Sequence, residues 1–173
     1  MITLLKLGGS LITDKDTPHT VRAELLHSLC KEVAAVWLKE PFPLIIGHGS
    51  GSFGHIPAKK YQTRKGVSSA EEWKGFAEVH SESTALNRVV LDSLRGAGLP
   101  VISFVPMDCV RGTNGKITHW GLIRLLTAVE NGLIPLVFGD TVFDECLGGT
   151  IFSRIKIKFC FPFCKKNGII SYS

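Results

Sequence analysis

The stretch GHGSGSFGH at residues 47–55 packs four glycines and two histidines into nine positions, directly after the apolar run Pro43-Leu44-Ile45-Ile46. An apolar run this short, closed by glycine, reads as a buried strand that ends at a turn. The same pattern recurs on either side. Ile2–Leu7 reads as a strand ended by Gly8-Gly9-Ser10, and Pro100–Val105 as a third strand. Ile134–Phe138 is a fourth, followed by Gly139-Asp140. Helical patterns lie between them. Val21–Leu38 carries Val21, Leu25, Leu29, Val33 and Val36 on one stripe, and Glu71–Leu94 is a long helical pattern stopped by Gly96 and Gly98. Cys109–His119 predicts a hairpin turning on Asn114-Gly115, and Trp120–Asn131 a helix ended by Gly132. Alternating strands and helices, with glycines at strand ends, predict an α/β sheet carrying helices on its faces. Ligands in such folds sit at the carboxyl ends of strands, which singles out Gly8-Gly9-Ser10, Gly47–His55 and Gly139-Asp140.

Composition narrows the function classes. The 173 residues are 45% hydrophobic and 20% charged, the balance of one globular domain with a real core. No apolar run approaches the roughly 20 residues that span a bilayer, and residues 1–6 (MITLLK) do not read as a signal peptide. No membrane association and a cytoplasmic location are therefore expected. The net charge is +5, but residues 1–153 hold 15 Lys/Arg and 15 Asp/Glu. The excess lies in Arg154, Lys156, Lys158, Lys165 and Lys166, so a nucleic-acid surface is not expected. Five cysteines (30, 109, 146, 160 and 164) read as free thiols. Cys160 and Cys164 are half of a zinc set without its complement, and no metal-ligating residues are assigned.

The glycine run admits two familiar readings. Gly49-x-Gly51-x-x-Gly54 fits a dinucleotide fingerprint, which needs a helix opening inside the run and an acid about 20 residues on, near Glu71 and Glu72. A P-loop needs Lys and then Ser/Thr after its last glycine, where His55 and Ile56 stand. A third reading takes both loops together. Lys6 precedes the turn Gly8-Gly9-Ser10, Lys15 follows it, and His55 closes the second run. Two cations, two backbone cradles and an imidazole suit phosphoryl transfer, in which the protein positions groups and neutralises charge. An acceptor that is already a phosphate needs no strong base. His48 reads as a satisfied structural histidine, and His19, His27, His80 and His119 as ordinary ones. Tight turns alone remain the competing explanation for any single glycine.

LKLGGSLITDK (5–15) together with GHGSGSFGH (47–55) resembles isopentenyl phosphate kinase, of the amino acid kinase superfamily. KGFAEVH (74–80), LIRLLTAVENGLIPLVFGD (122–140) and VFDECLGGTIFS (142–153) continue the resemblance in order. It implies a three-layer αβα sandwich with a mostly parallel central sheet over 1–153, and ATP- and Mg²⁺-dependent phosphorylation of isopentenyl phosphate to the diphosphate. It also implies roles by motif. Lys6, Leu7, Gly8, Gly9, Ser10 and Gly51 would hold ATP, and Lys6 and Lys15 would stabilise the transferring group. Ser50, Gly54, His55 and Gly149 would border the acceptor. Phe76, Val79 and Leu86 are candidates for an apolar pocket around the prenyl tail. A homodimer is the usual assembly of the superfamily.

The resemblance stops near Ser153. The family places an acid just after that position, where this sequence reads Arg154-Ile155-Lys156, and it then continues into a nucleotide-side lobe. Residues 154–173 are therefore expected to be an atypical basic tail on a fold incomplete at its C-terminus, as in a truncated or altered product. Another kinase of the superfamily, a non-catalytic phosphate-binding fragment and a nicotinamide-binding module remain as alternatives.

Overall fold

The computed structural model describes residues 1–152 and the short strand at 170–171. Its central element is a five-stranded sheet in the order β3-β6-β2-β1-β9, built from β1 (Thr3–Leu7), β2 (Leu44–His48), β3 (Val101–Phe104), β6 (Ile134–Phe138) and β9 (Ile170–Ser171). Every pairing in it is parallel. Parallel neighbours need crossovers, and α2 (Ala23–Lys39), α4 (Ala70–Gly96) and α6 (Ile123–Glu130) supply them.

The strand pleat distributes side chains to two helical layers. Leu7, Leu44, Ile46, Ile134 and Leu136 meet Leu26, Cys30 and Trp37 of α2 and Leu86, Val90 and Leu94 of α4. On the opposite face, Ile45 and Val137 meet Leu125 and Val129 of α6. The helix-on-both-faces arrangement is thus present, with the larger core under α2 and α4. A capping box starts α4: Ser69 Oγ accepts from Glu72 N while Glu72 Oε2 accepts from Ser69 N. Gly98, at φ 91°, lets the chain turn out of its other end.

A second, four-stranded sheet has the order β5-β4-β7-β8. It joins the hairpin β4 (Val110–Thr113) and β5 (Lys116–Trp120) to the hairpin β7 (Asp140–Asp144) and β8 (Gly148–Phe152). The first hairpin turns on Asn114 (φ 52°) and Gly115 (φ 73°), as its sequence predicts.

Three expectations need correction. Gly8-Gly9-Ser10 is not an open loop, because Gly9–Ile12 forms one helical turn, α1. The glycine run at 47–55 is a strand–helix junction: β2 continues to His48 and α3 (Gly51–Lys60) opens at Gly51. Trp120 belongs to β5, paired with Val110, so the following helix starts only at Ile123. The short helix α5 (Pro106–Cys109) and the hairpin β7–β8 were not read from the sequence at all. The expectations for residues 154–169, Cys160 and Cys164 among them, lie outside the described residues.

Candidate phosphate site at the strand ends

Register brings three strand ends level. Leu7 pairs with His48, and His48 with Phe138, so the carboxyl ends of β1, β2 and β6 form one edge. Both glycine turns rise from this edge and pack backbone to backbone. A methyl group on Gly9 would lie 2.7 Å from Gly51 N, and one on Gly49 would lie 3.2 Å from Gly9 N. Gly51 takes φ 51°, and the Thr13 side chain fills the space where its Cβ would stand. Thr13, fully buried, donates from Oγ1 to Gly9 O (2.8 Å) and accepts from Ser52 N (3.0 Å). One hydroxyl thus ties the two turns together.

The predicted site residues distribute as follows. Lys6 is exposed, opposite Gly47 in the ladder and on the other sheet face from Leu7. Leu7 is in the core, so only its backbone is available to a ligand. Gly8 caps α1 and Ser10 is exposed on its first turn, where helix N–H groups lack intrahelical acceptors. Ser50 is the buried N-cap of α3. One turn on, a Cβ at Gly54 would lie 2.6 Å from Ser50 Cβ and 2.9 Å from Ser83 Oγ of α4. His55 follows at the exposed helix surface. Partial desolvation of its ring, then the positive charge of Arg64, hold its pKa below the ordinary 6.5.

Lys15 stands apart from these residues, on the exposed loop between Thr13 and Val21, which pair as an isolated antiparallel bridge. Asp14 Oδ1 accepts from Asp16 N and Thr17 N at the base of that loop, and His19 fixes its far side through Glu82 of α4 (2.8 Å) and the Phe53 ring of α3. Gly149 comes from the second sheet. A Cβ there would lie 2.6 Å from the Phe76 ring, which packs with Trp73 and Phe143. Phe76 therefore packs against Gly149, Val79 is buried on the same helix, and Leu86 is spent in the main core.

Two polar groups lie under this edge, and sequence reasoning foresaw the structural role of His48 but not the pairing of Asp140. His48 is held as a structural residue, its ring between Gly49 O (3.0 Å) and Asn87 Oδ1 (3.2 Å) and stacked on Phe138, with burial lowering its pKa. Asp140, buried at the start of β7, pairs with His80 Nδ1 (2.9 Å) of α4; burial raises its pKa and His80 partly offsets that. Glu72 is committed to the capping box and Glu71 is exposed in the first turn of α4, so neither acid stands at a strand end as a dinucleotide site needs. Among the described residues no group of three or more His, Cys, Asp or Glu is arranged to hold a metal ion.

A parallel sheet with helices on both faces and two interlocked glycine turns at its carboxyl edge defines an α/β protein of the three-layer class. The chain belongs to the amino acid kinase family, whose pattern matches residues 1–155. It is 34% identical over 147 residues to the isopentenyl phosphate kinase of Methanothermobacter thermautotrophicus, covering 82% of this chain and 54% of that one. A crystal structure of isopentenyl phosphate kinase superposes with a TM-score of 0.87 at 29% identity, covering all of this chain and 72% of the other. A second, described as a substrate complex, gives 0.80 at 26% identity over 95% of this chain and 67% of the other. The chain spans little more than half the length of the curated relatives it matches.

Proposed function

We propose that this chain carries the acceptor side of a kinase that transfers a phosphoryl group from ATP to isopentenyl phosphate, forming isopentenyl diphosphate. The interlocked glycine turns carry this reading, because bare backbone N–H groups at a strand edge can hold phosphate oxygens, and His55 lies on the helix that follows the second turn. Similarity to isopentenyl phosphate kinases supports the choice of acceptor.

ATP, when bound, supplies the phosphoryl group, and Mg²⁺ carried on its phosphates neutralises charge. Few protein ligands are needed for a metal bound in that way. Lys6, the backbone of Leu7, the turn Gly8-Gly9-Ser10 and Gly51 would face the donor phosphates. Lys6 and Lys15 would offset charge on the transferring oxygens. His55 would donate one hydrogen bond to the acceptor phosphate, with Ser50 and Gly54 shaping the turn beneath it and Gly149 closing the far side. Phe76, Trp73 and Phe143 would cover the prenyl tail. A homodimer and a cytoplasmic location belong to the same reading; no helix among the described residues is long and apolar enough to cross a membrane.

Calorimetric titration of the full chain with isopentenyl phosphate tests the acceptor assignment. Loss of the His55 hydrogen bond to a charged phosphate is expected to weaken binding roughly ten- to hundredfold in His55→Ala. A folded wild-type chain that takes up no heat would overturn the proposal.

A further inference from the structure

A cavity of about 550 Å³ lies between α5, the β4–β5 hairpin, the start of α6 and β7. That volume is in the range of small-molecule sites. Backbone hydrogen bonds fix its walls. Gly121 N donates to Cys109 O (2.8 Å), tying the end of the hairpin to α5, and Val110 pairs with Trp120 at the hairpin's base. Cys109 is half-buried in that wall, its thiol donating to Val105 O (3.4 Å). The lining divides by chemistry. Met107, Ile123 and Phe143 are apolar, while Arg111, His119 and Arg124 are basic, set against one acid, Asp108. None of the three basic residues belongs to the site at the glycine turns.

Ile123 is 76% exposed and Phe143 is 51% exposed, although the Phe143 ring also packs with Trp73 and Phe76. Large apolar side chains left in water together at a cavity mark a surface that a ligand covers. Arg111 stands opposite His119 in the ladder, so both side chains leave the hairpin on one face. Arg111 comes only within 4.0 Å of Glu145, and Arg124 has no ion pair among the described residues. We infer that this cavity binds a small amphipathic anion, a phosphate or diphosphate ester with a short apolar tail. Its head lies among Arg111, His119 and Arg124, and its tail covers Ile123 and Phe143. Guanidinium groups stay charged and can each match two phosphate oxygens. A free anion would leave the apolar side chains in water, and a neutral alcohol would leave the arginines unpaired. The cavity is built from other elements than the glycine turns, so the inference does not depend on the proposed function.

The test is protection of Cys109 from iodoacetamide on the full chain, with the exposed Cys146, which does not line this cavity, as internal control. The probes are isopentenyl diphosphate, inorganic pyrophosphate and isopentenol, applied to wild type, His55→Ala and Arg124→Gln. Melting curves verify that the variants fold. Isopentenyl diphosphate is expected to slow labelling of Cys109 and not of Cys146, in wild type and His55→Ala alike. Arg124→Gln should need roughly tenfold more ligand for the same protection. Pyrophosphate should protect only at higher concentration than the ester, and isopentenol not at all. Cys109 labelling that no probe changes, or protection equally strong in Arg124→Gln, would overturn the inference. Protection lost in His55→Ala would place the ligand at the glycine turns and overturn it as well. Pyrophosphate as effective as the ester would overturn the role of Ile123 and Phe143.

Discussion

Thr13 joins two segments through one hydroxyl, donating to Gly9 O and accepting from Ser52 N, with no exposure to solvent. Thr13→Val keeps the shape and strands Ser52 N, while Gly9 O still accepts from Thr13 N, so it should cost about 1–3 kcal/mol. Gly51→Ala forces a methyl into the same contact at a positive φ, and should cost about 2 kcal/mol or more. Gly8 belongs to the same motif but meets only Leu11, at 3.5 Å, and has φ −61°. Gly8→Ala should therefore cost about 1 kcal/mol or less. Urea midpoints of the three variants measure this ordering, and a Gly51→Ala chain as stable as Gly8→Ala would show that the turns do not interlock.

Helix α4 shows how an element's start depends on pH. Glu72 Oε2 accepts from Ser68 N, Ser69 N and Ser68 Oγ, which brings its pKa from the ordinary 4.5 to about 2. A lowered folded pKa means that this support is complete above pH 4.5 and is lost as pH falls through 2. Glu72→Gln should flatten the acid dependence of hydrogen exchange in the first turn of α4 over that window; an unchanged profile would rule the capping carboxylate out as its cause. The long helical pattern and the glycines that stop it made α4 legible in the sequence, as helical spacing did for α2; the capping box that starts α4 was not read. The apolar runs of β1, β2 and β6 were equally plain. By contrast, α3 is GSFGHIPAKK, with two glycines, an internal Pro57 and no clear stripe. Local propensity opposes it, and its packing against α4, where Gly54 meets Ser83, holds it in place. The glycine motifs and His55 could be read as a pattern. Thr13–Ser52, His48–Asn87 and His80–Asp140 could not, because their partners lie 39, 39 and 60 residues apart.

At the scale of the whole molecule, His80 and Asp140 join the layer of α4 to the start of β7 in the second sheet. Asp140 has a folded pKa above its ordinary 3.8 because burial outweighs the pull of His80. A raised carboxyl pKa costs stability as pH climbs through it. His80→Ala would raise it further, so the variant's deficit in urea should be small in acid and grow to roughly 3 kcal/mol near neutrality. A deficit independent of pH would assign His80 a packing role only. The level strand ends carry one more consequence. Neither glycine turn has its partner until β1, β2 and their crossover helix have assembled, and the edge is complete only when β6 joins them. A phosphate compound bound there can recognise only the finished sheet. Each tenfold rise in its concentration above Kd then adds about 1.4 kcal/mol to the free energy of unfolding. Ligand supply would thus govern how often the chain opens to a protease, quite apart from any turnover.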